Sequence, residues 1–355
     1  MEINFEILKR EIRELEMYIS AMRVKPNGNS VQVQNLYNEV KNMSKTVGQL
    51  ETLDKNNVLK AKREMENLKK RLVDCEKNLK PKAPVMVPFG KLGSCQHQGL
   101  ARISKPNLLQ LNWKGNAYKS GAWGKDAAWN TTKKSLYWVA PLNTDGRVLE
   151  SIRIYPSMSD LQMLIKNKWN HTFAGQGAGM VVHNNNLYYN CFNSHDMCRV
   201  SLTSGVYQKK SLPNALFNNH FSYAGTMYQD IDFASDEKGL WVLFTTEESA
   251  GKILVGKVNV ATFTVDNIWI TTQSKPDASN AFMMCGVLYV TRSLGPKLEE
   301  VFYMFDTKTG KEGHLSIVME KMAEKVQSLS YNCNERKLYM YSEGYLLHYD
   351  IALKP

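Results

Sequence analysis

One phrase, a turn followed by leucine, an aromatic residue and more strand-forming residues, recurs five times in the C-terminal part of the chain. It reads Lys134-Ser135-Leu136-Tyr137-Trp138, Asn185-Asn186-Leu187-Tyr188-Tyr189, Lys238-Gly239-Leu240-Trp241-Val242, Gly286-Val287-Leu288-Tyr289-Val290 and Arg336-Lys337-Leu338-Tyr339-Met340. Successive leucines lie 51, 53, 48 and 50 residues apart. That period holds four short strands and their turns, the length of a kelch-type propeller blade. A sandwich also opens strands on a turn, a leucine and an aromatic, but nothing in a sandwich spaces them evenly from Leu136 to Leu338. Five such units predict an all-β, five-bladed propeller, closed radially so that few strand edges stay unpaired.

The first 80 residues carry a different period. Phe5, Leu8, Ile12, Leu15, Ile19 and Met22 alternate spacings of three and four, the seam of a coiled coil. Lys25-Pro26-Asn27-Gly28-Asn29 interrupts the helix, and the seam resumes with Val33, Leu36, Val40, Met43, Val47 and Leu50. A third segment runs through Val58, Ala61, Met65, Leu68, Leu72, Cys75 and Leu79. One such stripe alone is most simply a helix packed on its own domain. Three in succession, flanked by charge, leave a stripe too narrow for a globular core, so self-association is expected. Cys75 falls on the seam, where a parallel in-register pair would set it against its own copy in an interchain disulfide. The expected organisation is an α-helical, segmented coiled-coil stalk over 1–80, a Pro- and Lys-containing linker over 81–93 and the propeller over 94–352.

Net charge is +11 over 355 residues, which permits anionic glycans as partners, although Asp and Glu are interspersed almost everywhere. No membrane span is expected, because no apolar run reaches the 18 or more residues a membrane helix needs, and with the basic charge so diluted no nucleic acid partner is expected either. The chain opens at Met1 on charged helix with no apolar signal core, which alone favours the cytosol. Three sequons, Asn42-Met43-Ser44, Asn130-Thr131-Thr132 and Asn170-His171-Thr172, point instead to glycosylation and secretion, with the leader outside this chain.

Six cysteines stand at 75, 95, 191, 198, 285 and 333 in no zinc-binding spacing. Joining Cys95 to Cys285 would tie the start of the β region to a late repeat, and Cys191 and Cys198 can pair across a turn, leaving Cys333 a buried thiol; the sequence leaves these connectivities open. No nucleophile elbow, zinc-protease motif or phosphate loop is present. Gly175-Gln176-Gly177-Ala178-Gly179 leads into a strand rather than a helix, so it reads as a tight turn and not a dinucleotide loop. Asn184-Asn185-Asn186 reads as a hairpin turn. Asp230 and Asp232 alternate with apolar residues and would share one strand face, while Asp236 and Glu237 fit an exposed turn. Two carboxylates inside a β-domain are costly unless hydrogen-bonded or set on a cation, and a propeller channel is a place where oxygen ligands converge.

Lys91-Leu92-Gly93-Ser94-Cys95 with Gln96-His97-Gln98-Gly99, Gly121-Ala122-Trp123-Gly124, Tyr137-Trp138-Val139, Phe173-Ala174-Gly175-Gln176-Gly177, Gln229-Asp230-Ile231-Asp232, Gly239-Leu240-Trp241-Val242, Ala278 through Tyr289, and Leu338-Tyr339-Met340-Tyr341 together resemble the olfactomedin domain. The resemblance is dense from about residue 94 to 352. It implies a disulfide between Cys95 and Cys285 and a calcium site in the channel. Asp232 and Asn280 would supply side-chain oxygens, Ala281 and Leu329 carbonyls, and a second carboxylate is due at the position held here by Ser330. Losing that charge weakens the implied site, with Asp230 as a candidate substitute. The resemblance further implies secretion, N-glycosylation, homo-oligomers built by the stalk, extracellular or cell-surface protein partners in adhesion, matrix or signalling, and no enzyme activity. Two other readings compete: a metal-assisted hydrolase at the channel mouth, for which His97, His183, His220 and His314 are scattered bases, and an intracellular scaffold.

Overall fold

The structure, a computed structural model, describes residues 5–23, 31–50, 66–71, 92–110, 118–128, 136–149, 151–165 and 174–355. The chain divides into two units, Met1–Val87 and Pro88–Pro355.

The second unit is a ring of five antiparallel sheets. The chain joins it through β1 (Leu100–Ile103) and β2 (Asn107–Gln110). The first blade holds β3 (Gly121–Lys125) and β4 (Tyr137–Pro141); the short β5 (Val148–Leu149) pairs with the next blade, and β6 (Arg153–Tyr155) returns to pair with β4. The second blade is β7 (Gly175–His183), β8 (Asn186–Cys191), β9 (Asp196–Ser201) and β10 (Tyr207–Ser211). The third is β11 (Asp232–Asp236), β12 (Gly239–Phe244), β13 (Lys252–Asn259) and β14 (Thr264–Ser274). The fourth is β15 (Asn280–Met284), β16 (Val287–Gly295), β17 (Leu298–Asp306) and β18 (Lys311–Glu320). The last is β19 (Ser328–Asn332), β20 (Lys337–Ser342) and β21 (Tyr345–Leu353), completed by β1 and β2, which both pair with β21.

Closure is visible twice. The first strand of each blade touches the next in the cycle β3, β7, β11, β15, β19 and back to β3, so these five line the axis. The ring is then sealed by pairing the region's opening strands with its last one, Leu100 opposite Leu353 and Asn107 opposite His348.

The recurring phrase lies on the second strand of every blade, β4, β8, β12, β16 and β20. A second strand has another sheet over each face, so it must be apolar on both, which is why leucine and an aromatic stand side by side instead of alternating with polar residues. Leu187, Leu240, Leu288 and Leu338 are wholly buried, and Tyr188, Trp241, Tyr289 and Tyr339 nearly so. Each such side chain contributes roughly 1.5–3 kcal/mol by burial.

The glycines at 175–179 are not a turn, contrary to expectation. They open β7, the axis-lining strand of the second blade. A Cβ at Gly177 would lie 2.1 Å from the Tyr228 carbonyl oxygen and one at Gly179 2.6 Å from that of Ile231. The adjacent chain approaches too closely for any side chain, and that closeness is invisible to local pattern. Asn184 and Asn185 do form the β7–β8 hairpin turn, both at positive φ.

In the first unit, α1 (Phe5–Arg23) and α2 (Val31–Leu50) pack together with the helical residues 66–71. Ile12, Leu15, Ile19, Met22, Val33, Leu36, Val40, Met43, Val47 and Leu68 form one buried cluster. Ion pairs from Lys69 to Glu11 and from Arg71 to Glu39 flank it. The seam that the sequence offers to a partner chain is here filled by the same chain, because the break after α1 allows α2 to double back. These helices pack on one another within the chain, and they do not by themselves show the segmented coiled-coil stalk expected over 1–80. The linker up to residue 91 lies outside the described residues. Among the described residues, no helix is long and apolar enough to cross a membrane.

Candidate functional site

The inner strands carry the chemistry. Asp232 is the first residue of β11, Asn280 the first of β15, and Leu329 and Ser330 the second and third of β19, so the three strands present these groups at one end of the channel. Asp232, Asn280, Ala281 and Leu329 are buried and Ser330 half-buried. The Asp232 carboxylate accepts a hydrogen bond from the Tyr223 hydroxyl at 3.0 Å. Asn280 accepts from the Ala281 N–H at 3.0 Å, and its amide nitrogen lies 3.5 Å from the carbonyls of Val326 and Gln327.

A buried cation stands beside them. Lys275, with no exposed surface, donates to the carbonyls of Gln229 at 2.8 Å and Asp230 at 2.5 Å, its ammonium 4.5 Å above the Tyr223 ring. Burial pushes the Asp232 carboxyl up to about 6, a rise that Lys275 partly offsets. Burial likewise lowers Lys275 to about 8, against the pull of Asp232 and Asp230. A carboxylate this desolvated gains from positive charge. The donor set, one carboxylate, one amide oxygen, two carbonyls and the Ser330 hydroxyl, suits a hard oxygen-seeking cation, with a low charge count.

Asp230 takes no part in that set. Its two carboxylate oxygens accept from the N–H groups of Asn219 and Phe221 at 2.8 and 2.9 Å and from the Ser222 hydroxyl at 3.2 Å, anchoring the 219–222 loop. Asp236 and Glu237 are not a solvated turn either. Asp236 is wholly buried; one oxygen accepts from the Trp241 indole at 2.7 Å and the other from the Gly286 N–H at 2.6 Å. Glu237 accepts from the Cys285 N–H at 2.9 Å and the Tyr331 hydroxyl at 2.7 Å. Asp126 does the same between the first two blades, accepting from the N–H groups of Asn184 and Asn185 at 2.8 and 2.6 Å. An acid closing an inner strand thus clasps the hairpin turn of the following blade. The residue type was legible; its partner, some 50 or more residues on, was not.

Cys95 and Cys285 are joined, sulfurs 2.16 Å and Cα atoms 5.5 Å apart, and the turn that Asp236 and Glu237 clasp is the one carrying Cys285. Cys191 and Cys198 form a second bond across the β8–β9 turn, and Cys333 is a buried free thiol. Asn42 is exposed on α2; Cys75, Asn130 and Asn170 lie outside the described residues.

At the end of the channel where the inner strands begin, Arg147 lies between the rings of Phe192, at 4.8 Å, and Tyr228, at 4.6 Å, and donates to Asn193 and Asn218. No single sequence window contains this cluster. Nearby, a cavity of about 260 Å³ is bounded by residues of several blades, among them Lys119, Asp145, Gln229, Lys325 and Glu343.

The olfactomedin-like domain family matches residues 90–355. Olfactomedin of Aquarana catesbeiana is 86% identical, aligned over 100% of this chain and 78% of its own length. Olfactomedin-4 of Homo sapiens is 49% identical over 99% of this chain and 69% of its own, and olfactomedin-4 of Mus musculus 44% identical over 99% and 70%. None of the three is named as an enzyme. With five blades, a ring closed on its opening strands and a family match spanning that ring, the chain belongs to the olfactomedin family.

Proposed function

We propose that the chain is a secreted, oligomeric glycoprotein that binds extracellular or cell-surface proteins in adhesion, matrix or mucus organisation, or signalling, and that it carries out no catalysis. The observation that carries this is the pair of disulfides in a ring of the olfactomedin type, since such bonds persist in oxidising compartments outside the cytosol. The same observation disfavours the intracellular scaffold. Asn42, Asn130 and Asn170 are its glycan sites, and the helical segments with Cys75 its means of joining copies. Linked copies gain avidity even where each face binds weakly.

The protein-docking face is the rim around Arg147, Phe192 and Tyr228. Arginine and aromatic residues dominate binding energy at interfaces, and Phe192 remains 40% exposed. Calcium is the proposed cation of the channel, held by Asp232 and Asn280 side chains, the Ala281 and Leu329 carbonyls and the Ser330 hydroxyl. It would supply a fixed positive charge joining the third, fourth and fifth blades. Its single carboxylate makes the site a weak one.

Chemical crosslinking of the intact, glycosylated chain to living cells, followed by identification of the captured proteins, tests the docking face. Arg147→Ala should reduce specific capture several-fold while leaving secretion intact. Equal capture by the variant, or capture of nothing beyond an unrelated control, would count against this face.

A further inference from the structure

The two disulfides sit in different surroundings. Cys191 is 4% exposed and Cys198 has no exposed surface, whereas Cys95 and Cys285 are both partly exposed. An imidazole also lies against the second bond. His97 Nε2 is 3.3 Å from Cys285 Sγ, and the Gly99 N–H donates to His97 Nδ1 at 3.0 Å. A ring nitrogen that accepts carries no proton, so in the neutral imidazole the hydrogen is on Nε2 and points at the sulfur. Burial, and then the charge of Arg336, lower the His97 pKa below the usual imidazole value, which favours that neutral form at physiological pH.

Glu237 works the other way. One of its oxygens lies within 4.8 Å of both sulfurs, and the carboxylate accepts from the Cys285 N–H and the Tyr331 hydroxyl. A negative charge there opposes a second one on sulfur. The bond meanwhile fastens a segment with little else to hold it. Residues 92–99 form no strand, and among the described residues 92–98 are tied to the rest of the ring by the disulfide, the His97 contact and the Gln98 N–H to the Lys354 carbonyl at 3.1 Å. Closure of the ring is made separately, by β1 and β2 on β21.

We propose that Cys95–Cys285 is a thiol-exchange site for an external dithiol, with Cys285 as the leaving sulfur and His97 Nε2–H as the donor that stabilises it. One thiolate of the dithiol attacks Cys95 Sγ and forms a mixed disulfide. The bond between the two protein sulfurs breaks, and its electron pair goes to Cys285 Sγ. That thiolate, hydrogen-bonded by His97, takes from solvent the proton the attacking thiol gave up. The dithiol's second sulfur, deprotonated in turn, attacks the mixed disulfide and releases Cys95, which is protonated likewise. The dithiol leaves as its disulfide, and the cysteine pair has gained its two electrons. Reduction unhooks residues 92–97 from the fourth blade and leaves the ring closed. Outside the cytosol the bond persists until such a dithiol reaches it, whichever partner the Arg147 rim takes.

Timed treatment of the intact, folded chain with dilute dithiothreitol, followed by alkylation and mass spectrometry of each cysteine, tests the proposal. Cys95 and Cys285 should be labelled at least about tenfold faster than Cys191 and Cys198, and hydrogen exchange at 92–97 should rise while β20 and β21 keep their protection. His97→Phe should slow that reduction several-fold, and His97→Gln, which keeps an N–H donor, should retain most of the native rate. A merely structural His97 predicts the opposite sign, since loosening the segment would expose the bond and speed its reduction. Glu237→Gln keeps an acceptor oxygen, removes the charge and should speed reduction several-fold; it decides the matter if His97→Phe does not fold. Equal rates for the two bonds, unchanged or faster reduction in His97→Phe, or unchanged or slower reduction in Glu237→Gln would overturn the assignment.

Discussion

His183 and Asp232 are buried ionisable groups whose titrations work against each other. Burial lowers His183 from 6.5 to about 4, with its Nδ1 2.7 Å from the Ser235 hydroxyl. Between those values the unfolded chain takes up a proton that the folded chain refuses, so stability falls as pH falls from about 6.5 to about 4, by roughly 3 kcal/mol. Asp232 rises from 3.8 to about 6, so over that window the folded chain holds a proton the unfolded chain lacks, and stability grows as pH falls, by a similar amount. The two contributions nearly cancel in the native chain. His183→Gln should therefore gain stability relative to native on going from pH 6.5 to pH 4, and Asp232→Asn should lose it, as read by urea unfolding at each pH; parallel profiles for all three proteins would refute the assignment. At the cation site, calcium should raise the unfolding temperature slightly, and Ser330→Asp should tighten calcium binding at least about tenfold by adding a charged ligand, whereas Asp232→Asn should abolish it. An unchanged calorimetric titration in Ser330→Asp would exclude these ligands. Asp232 was legible as a buried carboxylate from its alternation with apolar neighbours. Asp230 was not separable from it, and Asp236 read as an exposed turn, since what sets both apart is a loop and a turn folded onto their oxygens.

At the scale of elements, the second strands were the most legible part of the fold, because burial on both faces leaves a mark in composition that survives without any partner being known. The inner strands were harder. β7 is opened by glycines that read as a turn, and only the chain of the next blade, 2.1 Å from a Cβ at Gly177, explains them. Connectivity was legible only through resemblance, although its energetic weight follows from chain length. The Cys95–Cys285 bond spans 190 residues and Cys191–Cys198 spans 7. Loop-closure entropy assigns about 5 kcal/mol to the first and about 2.5 kcal/mol to the second. Replacing Cys95 and Cys285 by alanine should thus lower the urea midpoint of the propeller transition about twice as far as replacing Cys191 and Cys198. Equal shifts would mean that the long bond, which ties the chain's entry to the fourth blade, does not restrict the unfolded chain as its loop length requires.

At the scale of the molecule, the open question is how a ring meets its partners. The ring presents a rim with an arginine between two aromatics, a cavity and the oxygen groups of the proposed cation site, all at the end where its inner strands begin. On the proposed function, joining copies would raise the avidity of such faces even where each binds weakly. The helical unit is where sequence and structure differ most. Strict spacing of three and four residues describes an apolar stripe equally well whether its complement comes from another chain or from a helix that doubles back after a Pro-Gly break. The structure fills Ile12, Ile19, Val33 and Val40 from within the chain. On the function proposed above, association would rest on Cys75, whose disulfide to its own copy would join chains covalently. Light scattering on the intact, non-reduced protein decides the matter. The account predicts a mass that is a multiple of the 40.5 kDa polypeptide, before glycan, and falls on reduction; a single-chain mass at every concentration would contradict it.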